Sequence, residues 1–438
     1  MSKQTIIKGT LILTIAGIAT KLLGFYNRIF LTRVIGVKEL GIYQLIFPVY
    51  ILALSFCCQG IATTITKQVS YYIGKKDNLS AKKAFKLALF SSLTLGIFSY
   101  VIIVYFSEFI CGNLLKNSDC VFLVKIIAIA IPFVSVKSCI TAYLTGMDKP
   151  QYQGLSHFLE QIVRIGTGYI LSIYWSAEKI NATLAVTALV TGEIFAFVLS
   201  IFFYCFESRK KERTFITNKQ KSKDKIFVLF CKDAVPITST NLLLTMFSSL
   251  EAIMLPAMLY KFYGEGNVAL EMYGTITGIV IPFLLFPSTI TTALSTMMLP
   301  AVSYAKARHR NKTINDAVTK SISFCFILGV ITCIGYIFLG EWACRFAFGS
   351  KEAGFLLEKM CYLCPFIYIS GNMSAILNGL GKTFLNMMFN IVSISTRIIF
   401  TFTLVPAYGI GAYVLGMCAS YMLLDMLMLF AIKRNIKI

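Results

Sequence analysis

Apolar residues gather along this chain in runs of twenty or more, the length an α-helix needs to cross the roughly 30 Å hydrocarbon layer of a bilayer. Runs separated by polar breaks fall near residues 6–32, 43–66, 87–110, 121–145, 155–175 and 183–206. A second set follows near 232–260, 273–301, 318–340, 355–379, 384–405 and 408–432. The pattern predicts an all-α polytopic membrane protein of about twelve transmembrane helices. Lys3 and Lys8 precede the first run as they would in a signal peptide, but apolar character resumes after Lys21 and reaches Val34, too long for a cleaved segment.

Composition agrees with the pattern. Of 438 residues, 57% are hydrophobic and 14% charged, against roughly a quarter charged in soluble proteins, so an ordinary soluble enzyme is excluded. Lys and Arg nevertheless outnumber Asp and Glu by 41 to 20. A nucleic-acid-binding chain would cluster that excess on a polar domain, and no nucleic-acid partner is expected here. The excess follows topology instead, because cytoplasmic loops retain Lys and Arg. Alternate connections, with both chain ends, hold 26 of them, among them Lys67, Lys82, Arg209, Lys219, Arg308 and Lys433, and the opposite side holds 7. Both termini are therefore expected in the cytoplasm.

The thirteen Cys are scattered through apolar runs, where a free thiol acts as a small hydrophobe. No disulfides are inferred, Cys111 and Cys120 being the pair to check. Cys361 and Cys364 form a lone C-x-x-C, too little for a metal site. His157, at the start of the fifth span, reads as structural, and His309 lies in a basic loop. There is no G-x-x-x-x-G-K-[ST] phosphate loop; the chain reads as a non-enzyme without cofactor, and energy for any transport is expected from membrane potential or a monovalent-ion gradient.

The chain also repeats itself. Residues 132–149, PFVSVKSCITAYLTGMDK, align without a gap on 365–382, PFIYISGNMSAILNGLGK, at an offset of 233. The same offset pairs Val69, Ser70 and Tyr71 with Val302, Ser303 and Tyr304, and Arg164 with Arg397. One register held that long points to duplication. Two pseudo-symmetric six-helix lobes are expected, 1–206 and 226–438, joined by a basic cytoplasmic linker, 207–225. Lobes of equal orientation with a site near mid-depth are a transporter arrangement.

Charges inside spans are costly and usually face a partner or a wet cavity. The first span carries Lys21 and Arg28, the fourth Lys125 and Lys137, the fifth Glu160 and Arg164, and the eleventh Arg397. The acids are Glu160, Glu193, Glu251 and Asp425. Glu160 and Arg164 share a helix face four residues apart and either pair with each other or meet substrate. Lys21 and Arg28 lie on one stripe with no acid on their helix, which suits a cavity for an anionic ligand. Asp425 and Glu193 read either as packing or as ion-site residues. Pro236, Pro256, Pro282, Pro287 and Pro300 are expected to interrupt the seventh and eighth spans, as gates or as static kinks.

The segments TKLLGFYNR at 20–28, HFLEQIVR at 157–164, DAVPIT at 233–238 and YGTITGIVIPFLLFPSTITTALSTMMLPAVSY at 273–304 resemble the stage V sporulation protein B group. That group belongs to the multidrug/oligosaccharidyl-lipid/polysaccharide (MOP) exporter superfamily, whose members are similar to lipid II flippases. The resemblance implies a bacterial plasma-membrane flippase, expected as a monomer, that moves an undecaprenyl-diphosphate-linked glycan from inner to outer leaflet by alternating access, in cell-wall or spore-cortex synthesis. It implies substrate-binding roles for Lys21, Arg28 and Arg164 and supporting or ion-coupling roles for Glu160 and Glu251; Arg397, which the duplication aligns with Arg164, is read as a further substrate-binding residue in the opposite lobe, and Lys137, a charge inside its span, as supporting or ion-coupling. Two departures stand out. The group commonly has fourteen spans where twelve are read here, and the acid expected near the end of the second span is missing from Lys67-Gln68-Val69-Ser70-Tyr71. The alternatives are a cation-coupled multidrug antiporter of the same superfamily and a non-transporting scaffold for wall assembly.

Overall fold

A computed structural model describes residues 3–75, 77–175, 181–211, 223–264, 266–307 and 311–436. His309 and residues 212–222 of the expected linker lie outside them. Among the described residues all regular structure is helical, and ten helical stretches are long and apolar enough to cross a membrane.

The sequence predicts about twelve, and the difference has two physical sources. Gly17–Gly74 forms one 58-residue stretch, at 1.5 Å per residue about 87 Å and far longer than one crossing requires. Gly36, at φ 82 and ψ 167, breaks the helix within it, adopting a left-handed backbone that glycine takes without penalty. The other source is Gln151–Tyr174, whose 24 residues are long enough but carry Glu160 and Arg164 and are less apolar than the other spans.

The main helices are α1 (Lys3–Leu54), α2 (Gly60–Gly74), α3 (Asn78–Tyr105), α4 (Cys120–Gly146), α5 (Gln151–Tyr174), α6 (Ala182–Lys211) and α7 (Lys223–Tyr263). There follow α8 (Gly266–Gly274), α9 (Ser288–Ala307), α10 (Asn311–Phe348), α11 (Lys351–Met360), α12 (Cys364–Gly379), α13 (Thr383–Thr403) and α14 (Ile410–Ile436). Helices α6 and α7 run into the expected linker from both sides, because Lys, Arg and Glu are good helix formers whatever their polarity.

The prolines act differently from expectation in the seventh span. Pro236 and Pro256 sit inside the unbroken 41-residue α7. The eighth span does break, between Ile281–Leu285 and α9, at Phe286 and Pro287. Proline has no N–H, so Pro287 leaves the carbonyl of Phe283 without its helical donor. The Tyr336 hydroxyl donates to that oxygen at 2.6 Å, and the Tyr368 hydroxyl to Leu284 O at 2.9 Å. The break is thus filled by two phenols within the protein.

By contact the chain divides into two compact units: Met1–Asn27 with Leu45–Ser249, and Arg28–Gln44 with Leu250–Ile438. Inside the first, Ser70 Oγ donates to Gly146 O at 3.1 Å, and a β-carbon on Gly146 would lie 2.9 Å from Val69 Cβ. Inside the second, 233 residues on, Ser303 Oγ donates to Gly379 O at 2.8 Å, and a β-carbon on Gly379 would lie 3.1 Å from Val302 Cβ. Gly96 packs on Pro132 and Gly329 on Pro365 in the same way. Small residues at these crossings let helices meet closely, which drives association where the solvent is itself apolar. All thirteen cysteines are free thiols, Cys111 and Cys120 included.

Candidate functional site

In the first unit, α4, α5 and α6 pack together and bring four charged side chains to one point. Lys137 Nζ donates to Glu160 Oε2 at 2.9 Å and also to Glu193 Oε2. Arg164 Nη2 reaches Glu160 Oε1 at 2.8 Å and Glu193 Oε1 at 3.4 Å. Each carboxylate therefore bridges both cations, and two positive charges balance two negative ones. Lys137 is 5% exposed, Glu160 4% and Glu193 7%. His157 Nδ1 lies 3.4 Å from Glu160 Oε2, so this residue, read from sequence as structural, borders the network.

A cavity of about 410 Å³ opens beside the network, lined in part by Gln59, Thr63, Thr66, Ser138, Thr141, Gln153 and His157, with Lys137, Glu160 and Glu193 in its wall. Burying four charges is offset only where each is paired and hydrogen-bonded. The arrangement can open to an anion that competes with the glutamates for Lys137 and Arg164.

In the second unit, Arg397 Nη2 pairs with Glu251 Oε2 at 3.0 Å, and its guanidinium lies 5.5 Å from the centroid of the Tyr421 ring. The duplication offset that aligns Arg164 with Arg397 aligns Lys137 with Ser370 and Glu160 with Ser393, so the second unit keeps the arginine and takes its acid from α7.

The remaining candidates are placed differently. Lys21 is exposed on α1. Arg28 Nη1 donates to the carbonyls of Thr277 at 3.2 Å and Gly278 at 3.4 Å. Those oxygens belong to the π-helical turn Thr275–Val280, and Gly278 O has lost its α-helical donor because residue 282 is proline. Arg28 thus answers a backbone need as well as carrying charge. The acid missing from the end of the second span comes from α7: Asp233 accepts from Lys67 Nζ at 2.7 Å and from Gln68 Nε2 at 3.1 Å.

Sequence reasoning joined Glu160 with Arg164 through their i,i+4 spacing. It had no means of placing Glu193 on Lys137, 56 residues away. A larger cavity of about 1040 Å³ in the second unit, lined by Phe262, Phe355, Tyr408 and Leu415 among others, holds none of the candidate residues. Among the described residues no group of three or more His, Cys, Asp or Glu is arranged to hold a metal ion.

Long apolar helices enclosing a charge-balanced ion network define a multi-pass membrane protein of transporter architecture. An outward-facing multidrug resistance MATE family transporter of the MOP superfamily superposes with a TM-score of 0.71 at 13% identity, over 99% of this chain and 96% of that one. A MOP superfamily transporter from Pyrococcus furiosus gives 0.68 at 14% identity, over 99% and 96%. The fold is that of the MOP superfamily. The chain belongs to the polysaccharide biosynthesis protein family, which matches residues 6–303. It is similar to stage V sporulation protein B of Bacillus subtilis (strain 168), 25% identical over 434 residues, 98% of this chain and 83% of that protein. It is also similar to the lipid II flippase MurJ of the same organism, 20% identical over 456 residues, 98% of this chain and 83% of that protein.

Proposed function

We propose that this chain is a flippase for an anionic, diphosphate-linked lipid glycan, an undecaprenyl-diphosphate-linked peptidoglycan or polysaccharide precursor, moved from inner to outer leaflet by alternating access. The observation that carries the reading is the sharing of two buried glutamates between Lys137 and Arg164 at the edge of a polar cavity. A diphosphate offers the same cations more oxygens than a carboxylate does, and an arginine fork matches phosphate oxygens two at a time. Substrate entering the cavity would take Lys137 and Arg164 from Glu193 and leave the network unbalanced until it departs. Binding energy would thereby favour a second conformation through the differential contacts that any ligand-driven switch requires.

Lys21 supplies a further cation in the first unit; in the second, Arg28 and Arg397, the latter paired with Glu251, supply cations for the same class of head group. Membership of the polysaccharide biosynthesis protein family and similarity to a lipid II flippase support the substrate class. Cycling is driven by membrane potential or by a monovalent-ion gradient. The test is reconstitution of the full chain in vesicles with a labelled lipid diphosphate sugar in the donor leaflet. Arg164→Ala is expected to insert and to lose flipping, whereas wild-type flipping by that variant would remove Arg164 from the site.

A further inference from the structure

We propose that Asp425 is a proton-binding site whose protonation accompanies the conformational cycle; the coupling half of this statement rests on the transporter reading above, the proton site does not. Asp425 lies on α14, is 6% exposed, and has no hydrogen-bond partner at either carboxyl oxygen among the described residues. Its isolation is specific. The other buried acids each hold a base: Glu160 and Glu193 share Lys137 and Arg164, Glu207 holds Lys149, and Glu251 holds Arg397.

The level of the residue in the helix pair is fixed by its neighbours. Ser393 Oγ on α13 donates to Ser420 O on α14 at 3.1 Å. Further along, Ser374 Oγ donates to Asn386 Oδ1 at 3.0 Å and touches Met428 Sδ at 3.9 Å. Residue numbers fall along α13 as they rise along α14, so the two helices are antiparallel and Asp425 sits between these rungs. On α13 the interval holds Asn390, whose amide donates to Asn386 O at 2.8 Å. Over this interval α13 carries two amides and a hydroxyl, Asn386, Asn390 and Ser393, and no cation.

The elements packed against α14 bear this out. Helix α13 carries one charged side chain, Arg397, engaged by Glu251. Helix α12 offers the Cys364 thiol and the Tyr368 phenol, which donates to Leu284 O. The turn before it offers Cys361 and Tyr362, and the one before α14 offers Tyr408. Helix α10 carries Lys312, Asp316 and Lys320 near its start, Glu341 and Arg345 near its end, and Cys325, Cys333, Tyr336 and Cys344 along the rest. On α14 itself Tyr413, Cys418 and Tyr421 precede Asp425, and Lys433 and Arg434 follow two turns on. None of these meets its carboxyl group.

An isolated carboxylate withdrawn from water costs several kcal/mol, and a protein avoids that cost by keeping the neutral acid. In the packed state Asp425 therefore holds a proton. When the packing around Asp425 admits water, the O–H bond breaks, the proton passes to water, and a solvated carboxylate remains. Repacking requires a proton to return, so the closed state takes up a single proton that the open state releases.

Infrared difference spectroscopy of the full-length chain in lipid nanodiscs, titrated in pH without any substrate, tests the site. The wild type is expected to lose a protonated-carboxyl C=O band on alkalinisation and gain carboxylate absorption, and Asp425→Asn is expected to lack the band. Superimposable spectra of the two at every pH would overturn the proposal. Should Asp425→Asn fail to give monodisperse protein, carbon-13 labelling of aspartate assigns the band, which must move in the wild type and stay in place in Asp425→Glu. In vesicles, acceleration of flipping by a pH gradient is expected in the wild type and not in Asp425→Asn, and equal acceleration would overturn the coupling. Failure of the wild type to flip any lipid would remove the transporter reading while leaving the infrared result standing.

Discussion

Replacing Lys137 by Met keeps an unbranched side chain, one atom shorter, and removes one charge from the centre of the buried network. Lys137 bonds Glu160 at 2.9 Å and Glu193 more closely still, and Arg164 is the other cation they share. After the substitution two carboxylates lean on one guanidinium, which lies nearer Glu160, at 2.8 Å, than Glu193, at 3.4 Å. Breaking a buried ion pair by deleting one partner costs about 3–5 kcal/mol, because the surviving charge stays desolvated. The double variant Lys137→Met/Glu193→Gln removes the stranded charge and leaves Arg164 and Glu160 paired one to one. It should recover about 2 kcal/mol or more of the loss, so that the cost of the two substitutions is far from additive. Unfolding in mixed micelles of increasing denaturing-detergent content, followed by far-ultraviolet circular dichroism, measures all four members of the cycle. Additive losses within about 0.5 kcal/mol would refute the account, since uncoupled sites add to that precision.

Four further outcomes follow from single positions. Tyr336→Phe strips the hydroxyl from Phe283 O, which keeps the Phe286 N–H as a donor at 3.2 Å, and should destabilise the same unfolding transition by about 0.5–1.5 kcal/mol, the net worth of one hydrogen bond. Gly36→Ala meets open space but forces an L side chain to φ 82; it should cost about 1–3 kcal/mol through backbone strain, and no change would mean the bend relaxes freely. Lys67→Ala removes a pair whose lysine is 63% exposed and should cost no more than about 1 kcal/mol, whereas Glu251→Gln, which strands the buried Arg397, should cost several times as much.

The helical membrane architecture was legible because a bilayer imposes a length and a composition on each crossing, and both are written directly in the chain. The i,i+4 pairing of Glu160 with Arg164 was legible for the same kind of reason, a local periodicity. What escaped was whatever depends on which helices become neighbours. Glu193 meets Lys137 through the packing of α4 on α6, and Asp233 supplies the acid missing beside Lys67 from a helix far along the chain. Arg28 looked like a cation without a partner because its partners are backbone carbonyls, freed by Pro282 and a π-helical turn, and carbonyls leave no mark in a residue pattern. The prolines misled in the opposite direction. Pro236 and Pro256 were expected to interrupt their span, yet α7 runs through both, and only the Phe286–Pro287 step parts two helices. Asp425, by contrast, could be singled out in the sequence as an acid inside a span, while its isolation is visible only once every neighbouring helix is in place.

The most direct measurement follows one labelled lipid diphosphate sugar and one cationic dye together in vesicles containing the full chain. The account predicts that the wild type exposes the labelled lipid in the opposite leaflet, that Lys137→Met and Arg164→Ala lose this activity while remaining inserted, and that dye efflux stays at the level of empty vesicles. Dye efflux by the wild type without lipid exposure would contradict it, and would point to an antiporter in its place.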